Sequence, residues 1–482
     1  MMTFQSTDML RILPELVLSG FAILVMVLDP FLPAKRKALL GWVALLGVFV
    51  TAAVCLQTLR LPGLAFGGTV AADGFSIFFI YLFLLVGALT LLGSFDYLDR
   101  DNIQYGEFYA LILMATVGMC FMAASTELIL IFIGLEISSL STYILAGFKR
   151  HDLLSNEASL KYFLLGSFAT AFFLYGIAFV YGLTGTTNLL ALSERLALPS
   201  QWTTFGYVAL VLIFVGLAFK LSTVPFQIWT PDVYQGAPAP VTAFLSVGPK
   251  AAAFAVLLRI FLGGLASAGP VSFWLIWTSA ALTMCLGNLA ALGKTNVKRL
   301  LAYSSIAHAG YVLVGVAAGG RQGTSAVLFY LIAYALMNVG AFVLIAHLSG
   351  TGERWLNIRD YTGLAYQRPG LAACLTVLLV SLAGFPTTAG FFGKFYIFRA
   401  SLHAHLVGLT ILAVLNSVVS VYYYLRLVVA MYMQEGKSEA SGIVLPWAAR
   451  ASLAVSITGI FFLGLFPSLL MGLATAAANP LP

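Results

Sequence analysis

Charged side chains are scarce in this chain of 482 residues, in which Asp, Glu, Lys and Arg together make up 9%. A soluble domain carries roughly 25% charged residues, so the composition excludes an ordinary water-soluble protein. Hydrophobic residues make up 61% of the chain. Apolar runs long enough to cross a hydrocarbon layer of ~30 Å recur along its whole length. The alternating pattern of a membrane barrel is absent. We therefore expect an all-α polytopic membrane protein.

Cysteine is also rare, with four residues far apart in apolar runs: Cys55, Cys120, Cys285 and Cys374. The chain has no CxxC pair and no Cys/His cluster, so the sequence offers no iron–sulfur site, zinc site or disulfide. A glycine-rich nucleotide loop is missing as well. We expect this chain to bind no metal and no redox cofactor.

The apolar runs predict about fourteen transmembrane helices. Their approximate positions are residues 10–32, 37–57, 74–96, 106–122, 125–147, 158–184, 203–224 with a continuation to 235, 240–263, 270–292, 299–319, 323–349, 370–400 with a break, 405–430 and 445–472.

The charges in the connections between these runs agree with this count. The odd-numbered connections contain Lys35, Arg36, Lys37, Arg100, Lys149, Arg150, Lys294, Lys298, Arg299, Arg354, Arg359, Arg368 and Lys437. The opposite connections contain Arg60, Arg195 and Arg321. Because basic loops stay in the cytoplasm, we expect both termini on the periplasmic side of a bacterial inner membrane. The net charge of +7 then reflects membrane topology, and we expect lipid rather than nucleic acid as a partner.

Two of the runs are interrupted in a similar way. The seventh breaks at residues 222–225 and the twelfth at residues 384–390, where proline, hydroxyl and glycine residues let a helix unwind. Paired breaks indicate a duplicated transporter unit, and an offset of five helices makes the two units inverted. We predict four parts: residues 1–104 with helices 1–3, 105–265 with helices 4–8, 266–435 with helices 9–13, and 436–482 with helix 14.

Four ionisable side chains lie inside the apolar runs or at their breaks: Glu136, Lys220, Lys250 and Lys394. A charge at the centre of a bilayer costs at least ~2.5–3.5 kcal/mol, so such residues usually face a bundle interior and carry function. One acid and three lysines indicate an ion path, and we interpret it as a proton path.

Each of the four also has a structural interpretation. Glu136 would be an acid tied to a neighbouring hydroxyl, and Lys220 would extend its amine along the helix to the membrane surface. Lys250 would neutralise carbonyls at a kink made by Pro249, and Lys394 would lie near the outer interface. We favour function for all four.

Two further residues are candidates for proton relay. Lys161 lies one helical turn after Glu157, where it can serve cytoplasmic proton uptake or form a solvated ion pair. His308 titrates near neutral pH, so it can relay protons between the two halves or act only in packing. We interpret Asp232 as a helix cap.

Four stretches and their surroundings carry a resemblance to a known family. They are FKLSTVPFQIWTPDVYQGAPAPV at Phe219–Val241, KRLLAYSSIAHAGY at Lys298–Tyr311, GLEISSLSTYIL at Gly134–Leu145 and GFPTTAGFFGKFYIF at Gly384–Phe398. These resemble subunit N, an antiporter-like membrane subunit family of proton-pumping NADH:quinone oxidoreductase (respiratory complex I). The resemblance covers nearly the whole chain.

The resemblance implies fourteen helices, two inverted five-helix repeats and broken helices 7 and 12. It also implies that Glu136 and Lys220 are the family's ion pair, Lys250 its central lysine and Lys394 its exit-side lysine. One position departs from the pattern, because Gln227 replaces the histidine found in many relatives.

The implied function is proton translocation coupled to quinone reduction elsewhere in the complex. NADH, FMN, iron–sulfur clusters and quinone would then bind other subunits, and the partners would be other membrane-arm subunits, including neighbouring antiporter-like ones. Two alternatives are a subunit of a multisubunit cation/proton antiporter and a stand-alone transporter of a small solute.

Overall fold

A computed structural model describes residues 6–33, 36–198, 201–436 and 444–478; Lys35 and Lys437 lie outside this part of the chain. The α-helices within it, in chain order, are α1 (Ser6–Arg11), α2 (Leu13–Leu28), α3 (Ala38–Thr58), α4 (Gly74–Arg100), α5 (Gly106–Ala124), α6 (Leu128–Ala146), α7 (Leu153–Thr184), α8 (Leu189–Arg195), α9 (Thr204–Leu221), α10 (Trp229–Gly236), α11 (Ala239–Arg259), α12 (Pro270–Leu292), α13 (Val297–Ala318), α14 (Gly320–Leu348), α15 (Leu364–Gln367), α16 (Pro369–Ala383), α17 (Ala389–His403), α18 (Val407–Met433), α19 (Trp447–Leu465) and α20 (Pro467–Ala477).

Two short strands, β1 (Gly63–Ala65) and β2 (Val70–Ala72), pair antiparallel between α3 and α4. Short turns of 3₁₀ or π helix occupy Asp29–Phe31, Ile260–Gly264, Ala266–Ala268, Thr351–Glu353 and Ile358–Tyr361.

Among the described residues, thirteen helices are long and apolar enough to cross a membrane, and α16 and α20 are shorter apolar helices. The expected all-α polytopic membrane fold is confirmed. Most predicted runs begin and end within a few residues of an observed helix. The total of fourteen crossings stays a prediction.

Local sequence fixes where several helices begin. At the start of α4 the Asp73 side chain accepts a hydrogen bond from the backbone N–H of Ser76 at 2.7 Å. The Ser76 hydroxyl oxygen in turn accepts one from the backbone N–H of Asp73. Asn296 caps α13 by accepting from the N–H of Arg299 at 3.1 Å. Such caps satisfy backbone groups that have no partner inside the helix. They set the points at which the chain turns back into the bundle.

The connections gather on two opposite faces. On the first, which we call the hairpin face, the Thr126 N–H donates to the Thr69 carbonyl and the Leu128 N–H to the Thr187 carbonyl, both at 2.9 Å. The second, the basic face, holds the α4–α5, α6–α7, α10–α11, α12–α13 and α14–α15 connections. These two faces are the ends of an antiparallel bundle.

Helices α11 and α14 form the centre of this bundle, and nearly all of their side chains are buried. The outer helices expose apolar side chains, such as Phe168 on α7 and Val418 on α18. An apolar exterior of this extent suits contact with hydrocarbon or with other apolar protein surfaces.

Two interruptions divide helical segments near the centre of the bundle. Helix α9 ends at Leu221 and α10 begins eight residues later, and Ser222 at the end of α9 has a φ of 59°. Helix α16 ends at Ala383 and α17 begins at Ala389, with Gly384 at a φ of 93°. A left-handed residue ends a helix, and the last carbonyls then accept hydrogen bonds from donors outside the regular helix.

Helices α5 and α6 cross with their backbones in contact. A Cβ atom at Gly118 would lie 2.5 Å from the carbonyl oxygen of Gly134, and one at Gly134 would lie 2.8 Å from that of Gly118. Small residues permit such close approach of membrane helices. The crossing fixes the position of Glu136, which lies two residues after Gly134.

We expect Gly118→Ala to destabilise the purified protein assembly by about 1–3 kcal/mol, because the added methyl group forces the two backbones apart. Thermal unfolding in detergent measures the effect. Gly182→Ala is the matched control, since a Cβ there meets no atom within 4 Å. Equal unfolding temperatures for the two variants would contradict the crossing.

Candidate functional site

Lys220 lies in the last turn of α9 with 4% of its surface exposed. Its amine stands 5.0 Å from the centre of the Tyr143 ring and 5.3 Å from that of Tyr162. Cation–π contacts of a desolvated ammonium are worth about 2 kcal/mol or more. Lys220 therefore does not extend to the membrane surface, and within the described chain no carboxylate reaches it at salt-bridge distance.

Glu136 lies on α6 and approaches Lys220 without touching it. Its charge acts on Lys220, but no direct ion pair forms between them. The Oε1 atom of Glu136 is buried and has no hydrogen-bond partner in the described part of the chain. The ion pair between Glu136 and Lys220 that the resemblance implies is therefore not formed in this structure.

Further buried polar atoms without a partner in the described residues belong to the first break or to Tyr143, whose ring contacts Lys220. They are the hydroxyls of Tyr143, Ser222 and Thr230 and the Oε1 atom of Gln227. Buried groups of this kind bind water or one another when they have room. The surroundings of Lys220 are therefore more polar than the apolar runs suggest.

Lys250 binds a hydroxyl on a different helix. Its amine donates to Ser305 Oγ on α13 at 2.6 Å and lies 5.5 Å from the centre of the Tyr234 ring. The Tyr234 and Ser305 hydroxyls are 3.4 Å apart. Lys250 is 3% exposed, and its hydrogen bond goes to Ser305 rather than to carbonyls at Pro249.

His308 lies in a group of hydroxyls one turn further along α13. Its Nδ1 is 2.6 Å from the Tyr330 hydroxyl, and its Nε2 is 3.0 Å from that of Tyr424. The Tyr424 hydroxyl also bonds Ser304, the neighbour of Ser305 in sequence. The charges of Lys250 and Lys394 both act on the His308 imidazole. The imidazole therefore lies near both lysines and bonds hydroxyls of α14 and α18.

Lys394 is a residue of α17 and lies beside the second break, the one between α16 and α17. Its amine donates to the carbonyl of Ala383, the last residue of α16, at 2.8 Å, and to Ser417 Oγ on α18 at 2.9 Å. It lies 5.2 Å from the centre of the Tyr311 ring. With 4% exposure, Lys394 is an interior residue rather than an interfacial one.

The groups between Lys250 and Lys394 differ from those between Lys220 and Lys250. Hydroxyls and an imidazole lie between Lys250 and Lys394. Between Lys220 and Lys250 stands a partition of three rings, in which Tyr162 stacks on Trp229 at 4.5 Å and Trp229 meets Tyr234 at 6.3 Å. We call these three residues the aromatic partition. No hydrogen bond from the Lys220 amine crosses it within the described residues.

Lys161 lies apart from this interior set, on the basic face, with 41% of its side chain exposed. It pairs with Glu157 at 2.7 Å and with Asp232 at 2.8 Å, and Arg299 also binds Asp232 at 2.7 Å. The interpretation of Asp232 as a cap is wrong, because Ile228 is the N-cap of α10 and both Asp232 oxygens bind cations.

Sequence reasoning missed a buried ion cluster on the basic face. Glu353 binds Lys298 at 2.7 Å and approaches Lys149 at 3.8 Å, and Lys149 binds Asp101 at 2.7 Å. Burial alone would raise the pKa of Glu353, but the ammonium groups of Lys298 and Lys149 and hydrogen bonds from Lys298 and Tyr97 lower it to about 2. These lysines look like ordinary loop charges in the sequence.

A second missed pair lies on the hairpin face. Arg259 donates to the two oxygens of Asp73 at 2.9 and 3.1 Å, and its guanidinium lies 4.7 Å from the centre of the Phe75 ring. Arg259 follows a continuous apolar run, so the rule that selected the four candidates also applies to it, although they did not include it. Its pairing with Asp73 marks it as structural.

No group of three His, Cys, Asp or Glu residues that could hold a metal ion occurs in the described ranges. The groups that do converge are amines, hydroxyls and an imidazole, with aromatic rings packed around them. Such a set can accept and donate protons.

Comparison with known proteins gives the family. The model of the NADH:quinone oxidoreductase/Mrp antiporter transmembrane family matches residues 125–420. NADH-quinone oxidoreductase subunit N 1 of Solibacter usitatus is 49% identical over 477 residues, which cover 98% of both chains. Subunit N proteins of other bacteria are 40–48% identical over nearly their full lengths.

Solved structures agree. A chain of respiratory complex I from Thermus thermophilus is 36% identical with a TM-score of 0.81, over 96% of this chain and 99% of that chain. A chain of the Mrp complex from Dietzia sp. has a TM-score of 0.86 at 21% identity, over 98% and 97% of the two chains, and shares the fold. The resemblance seen in the sequence motifs is thereby confirmed: this chain belongs to the NADH:quinone oxidoreductase/Mrp antiporter membrane family, as a subunit N of NADH-quinone oxidoreductase.

Proposed function

We propose that this chain translocates protons through Glu136, Lys220, Lys250 and Lys394, driven by quinone reduction elsewhere in the complex. The observation that carries the proposal is the state of the three lysines, which are buried without a carboxylate in contact among the described residues. A lysine held in this way exchanges its proton more readily than one locked in an ion pair.

The basic face is the cytoplasmic face in this proposal, and both termini lie on the periplasmic side of a bacterial inner membrane. The four predicted parts of the chain then give the path its order. Glu136, Lys220 and Lys250 belong to residues 105–265, whereas His308 and Lys394 belong to residues 266–435. NADH, FMN, iron–sulfur clusters and quinone bind other subunits, and neighbouring antiporter-like subunits contact this one.

The first step is a change in the distance between Glu136 and Lys220. A neighbouring subunit moves the acid toward or away from the amine, and the protonated form of Lys220 gains or loses its counter-charge. Two unit charges 4 Å apart interact by about 4 kcal/mol at an effective dielectric constant of 20. Moving one charge against 100 mV costs ~2.3 kcal/mol. Opening one ion pair is therefore sufficient to move one proton.

In the second step the proton of Lys220 passes through water beyond the aromatic partition to Lys250, and from Lys250 it moves on to Lys394. Ser305 accepts from Lys250, and the neighbouring Ser304 bonds Tyr424, which bonds His308. Rotating hydroxyls and a neutral imidazole can each receive a proton on one side and release one on the other. Lys161, half-exposed on the basic face, serves proton uptake in this scheme.

We expect Lys220→Ala and Glu136→Ala to slow proton transfer through this chain by ~10²-fold or more, because each removes a group that binds the proton or its counter-charge. Proton-to-electron stoichiometry in proteoliposomes containing the whole complex measures the loss. Glu194→Gln, an exposed acid on α8, is the control. Full stoichiometry in both alanine variants would reject the path.

We expect Tyr424→Phe to slow proton transfer by about 10-fold, less than loss of a lysine, because it removes one hydroxyl and leaves His308 in place. Pumping rate at saturating NADH is the measurement. Tyr366→Phe is the matched control, since that hydroxyl is exposed and bonds the carbonyl of Tyr432. An unchanged rate in Tyr424→Phe would remove it from the relay.

Isolation of the native assembly separates this function from that of a cation/proton antiporter. We expect the tagged chain to co-purify with NADH dehydrogenase activity and quinone-reducing subunits. Co-purification with other antiporter subunits and no NADH dehydrogenase activity would support the antiporter alternative. Transport activity of the chain expressed alone would support a stand-alone transporter.

A further inference from the structure

The carboxylate of Glu353 joins helices that are distant in sequence. Its Oε2 accepts from the Lys298 amine at 2.7 Å, and its Oε1 accepts from the backbone N–H of Ala239 at 2.7 Å and from the Tyr97 hydroxyl. Lys298 lies in the first turn of α13, and Ala239 is the first residue of α11. One carboxylate therefore ties the beginnings of two central helices together.

Lys298 completes the contact from the other side. Its amine also donates to the carbonyl of Ala237 at 2.6 Å, at the end of α10. Glu353 and Lys298 thus bind both sides of the short joint between α10 and α11. We call this pair and its backbone partners the joint clamp.

The turn that presents Glu353 is tight. Gly350 and Gly352 have φ angles of 72° and 70°, and Glu353 itself has a φ of 55°. Left-handed conformations cost little for glycine but are uncommon for glutamate. The turn directs the Glu353 side chain into the bundle, where it is 8% exposed.

The geometry of the two clamped helices leads to Lys250. Helices α11 and α13 both begin at the clamp and run in the same direction into the bundle. Lys250 is about 16 Å along α11 from Ala239, and Ser305 is about 10 Å along α13 from Lys298, at 1.5 Å per residue. Helical side chains point toward the N-terminus, so the long Lys250 side chain spans the difference and reaches Ser305.

We propose that Glu353 is a positioning residue which, through Lys298 and the first turn of α11, sets the register of α11 against α13 and holds Lys250 on Ser305. This inference rests on the proposed function for its effect on pumping. The clamp contains a carboxylate whose charged form is favoured by two ammonium groups, that of Lys298 at 2.7 Å and that of Lys149 at 3.8 Å. It holds the path in place without carrying protons.

The first test is a double-variant cycle in the assembled complex. Ser305→Ala removes the partner of Lys250, and Glu353→Gln removes the charge of the clamp while keeping its shape. We expect each variant to lower pumping per assembled complex by about 10-fold and the double variant to fall no further, because both break the same contact. Fold-changes that multiply would overturn the proposal, as would unchanged pumping in Glu353→Gln.

Two controls separate register from general damage. Glu107→Gln breaks an exposed pair with Arg150 on the same face, and we expect full pumping. The double variant Glu353→Gln/Lys298→Met leaves no uncompensated buried charge. We expect it to recover the amount of assembled complex while pumping per complex stays low. Recovery of both would overturn the proposal.

A structural measurement does not depend on the proposed function. We expect cryo-electron microscopy of the Glu353→Gln complex to show the Lys250 amine separated from Ser305 Oγ. If the variant keeps the 2.6 Å contact between these two atoms, the proposed role of the clamp is wrong. If Lys250→Met pumps fully, the proposed path fails. The separation in Glu353→Gln still decides whether the clamp sets the register.

Discussion

The constraint on which the rest of this structure depends is the placement of ammonium groups in a medium that cannot solvate them. Lys220, Lys250 and Lys394 are all nearly inaccessible, and each lies over one or more tyrosine rings. Hydroxyls and a carbonyl supply the remaining contacts of Lys250 and Lys394. Lys298 is equally buried, yet it has a carboxylate in contact. The same residue type therefore serves two purposes, according to whether a carboxylate completes its surroundings.

The two helix breaks explain how such placements arise in an apolar chain. A helix C-terminus carries a partial negative charge and carbonyls without partners. Lys394 donates to the terminal carbonyl of α16, and Lys220 lies one residue before the end of α9. Each break thus brings partial negative charge to the bundle interior, and the second also brings a backbone oxygen to a buried amine. Two of the buried amines, those of Lys220 and Lys394, therefore lie at the end of an interrupted helix.

Much of this arrangement could be predicted from the sequence because membrane spans follow from apolar length. The predicted run 270–292 coincides with α12, and 74–96 falls four residues short of the end of α4. The run 158–184 begins five residues late, since Asn156 and Glu157 made a helical turn look like a loop. The buried lysines were found by the same rule, because polar groups in hydrocarbon are costly.

The partners of those residues could not be predicted, because they depend on packing between distant segments. Glu353 meets Tyr97 across 256 positions of the chain. Its lysines looked like loop charges, and Asp232 resembled a cap because it lies near a proline. The absence of a direct ion pair between Glu136 and Lys220 likewise depends on how α6 and α9 are placed. Sequence patterns therefore predicted which charged residues are buried in the bundle, but not which residues they contact.

The aromatic partition of Tyr162, Trp229 and Tyr234 has a consequence for energy conservation. A membrane protein whose proton sites were always joined by water would short-circuit the gradient that the respiratory chain builds. Tyr162 stacks on Trp229, and Tyr234 meets Trp229 edge-on. The faces of these rings neither donate nor accept protons, so the partition is an electrical insulator. In the proposed proton path, forward transfer would wait for water to enter this region, and the same wait would prevent leakage backward when the enzyme is idle.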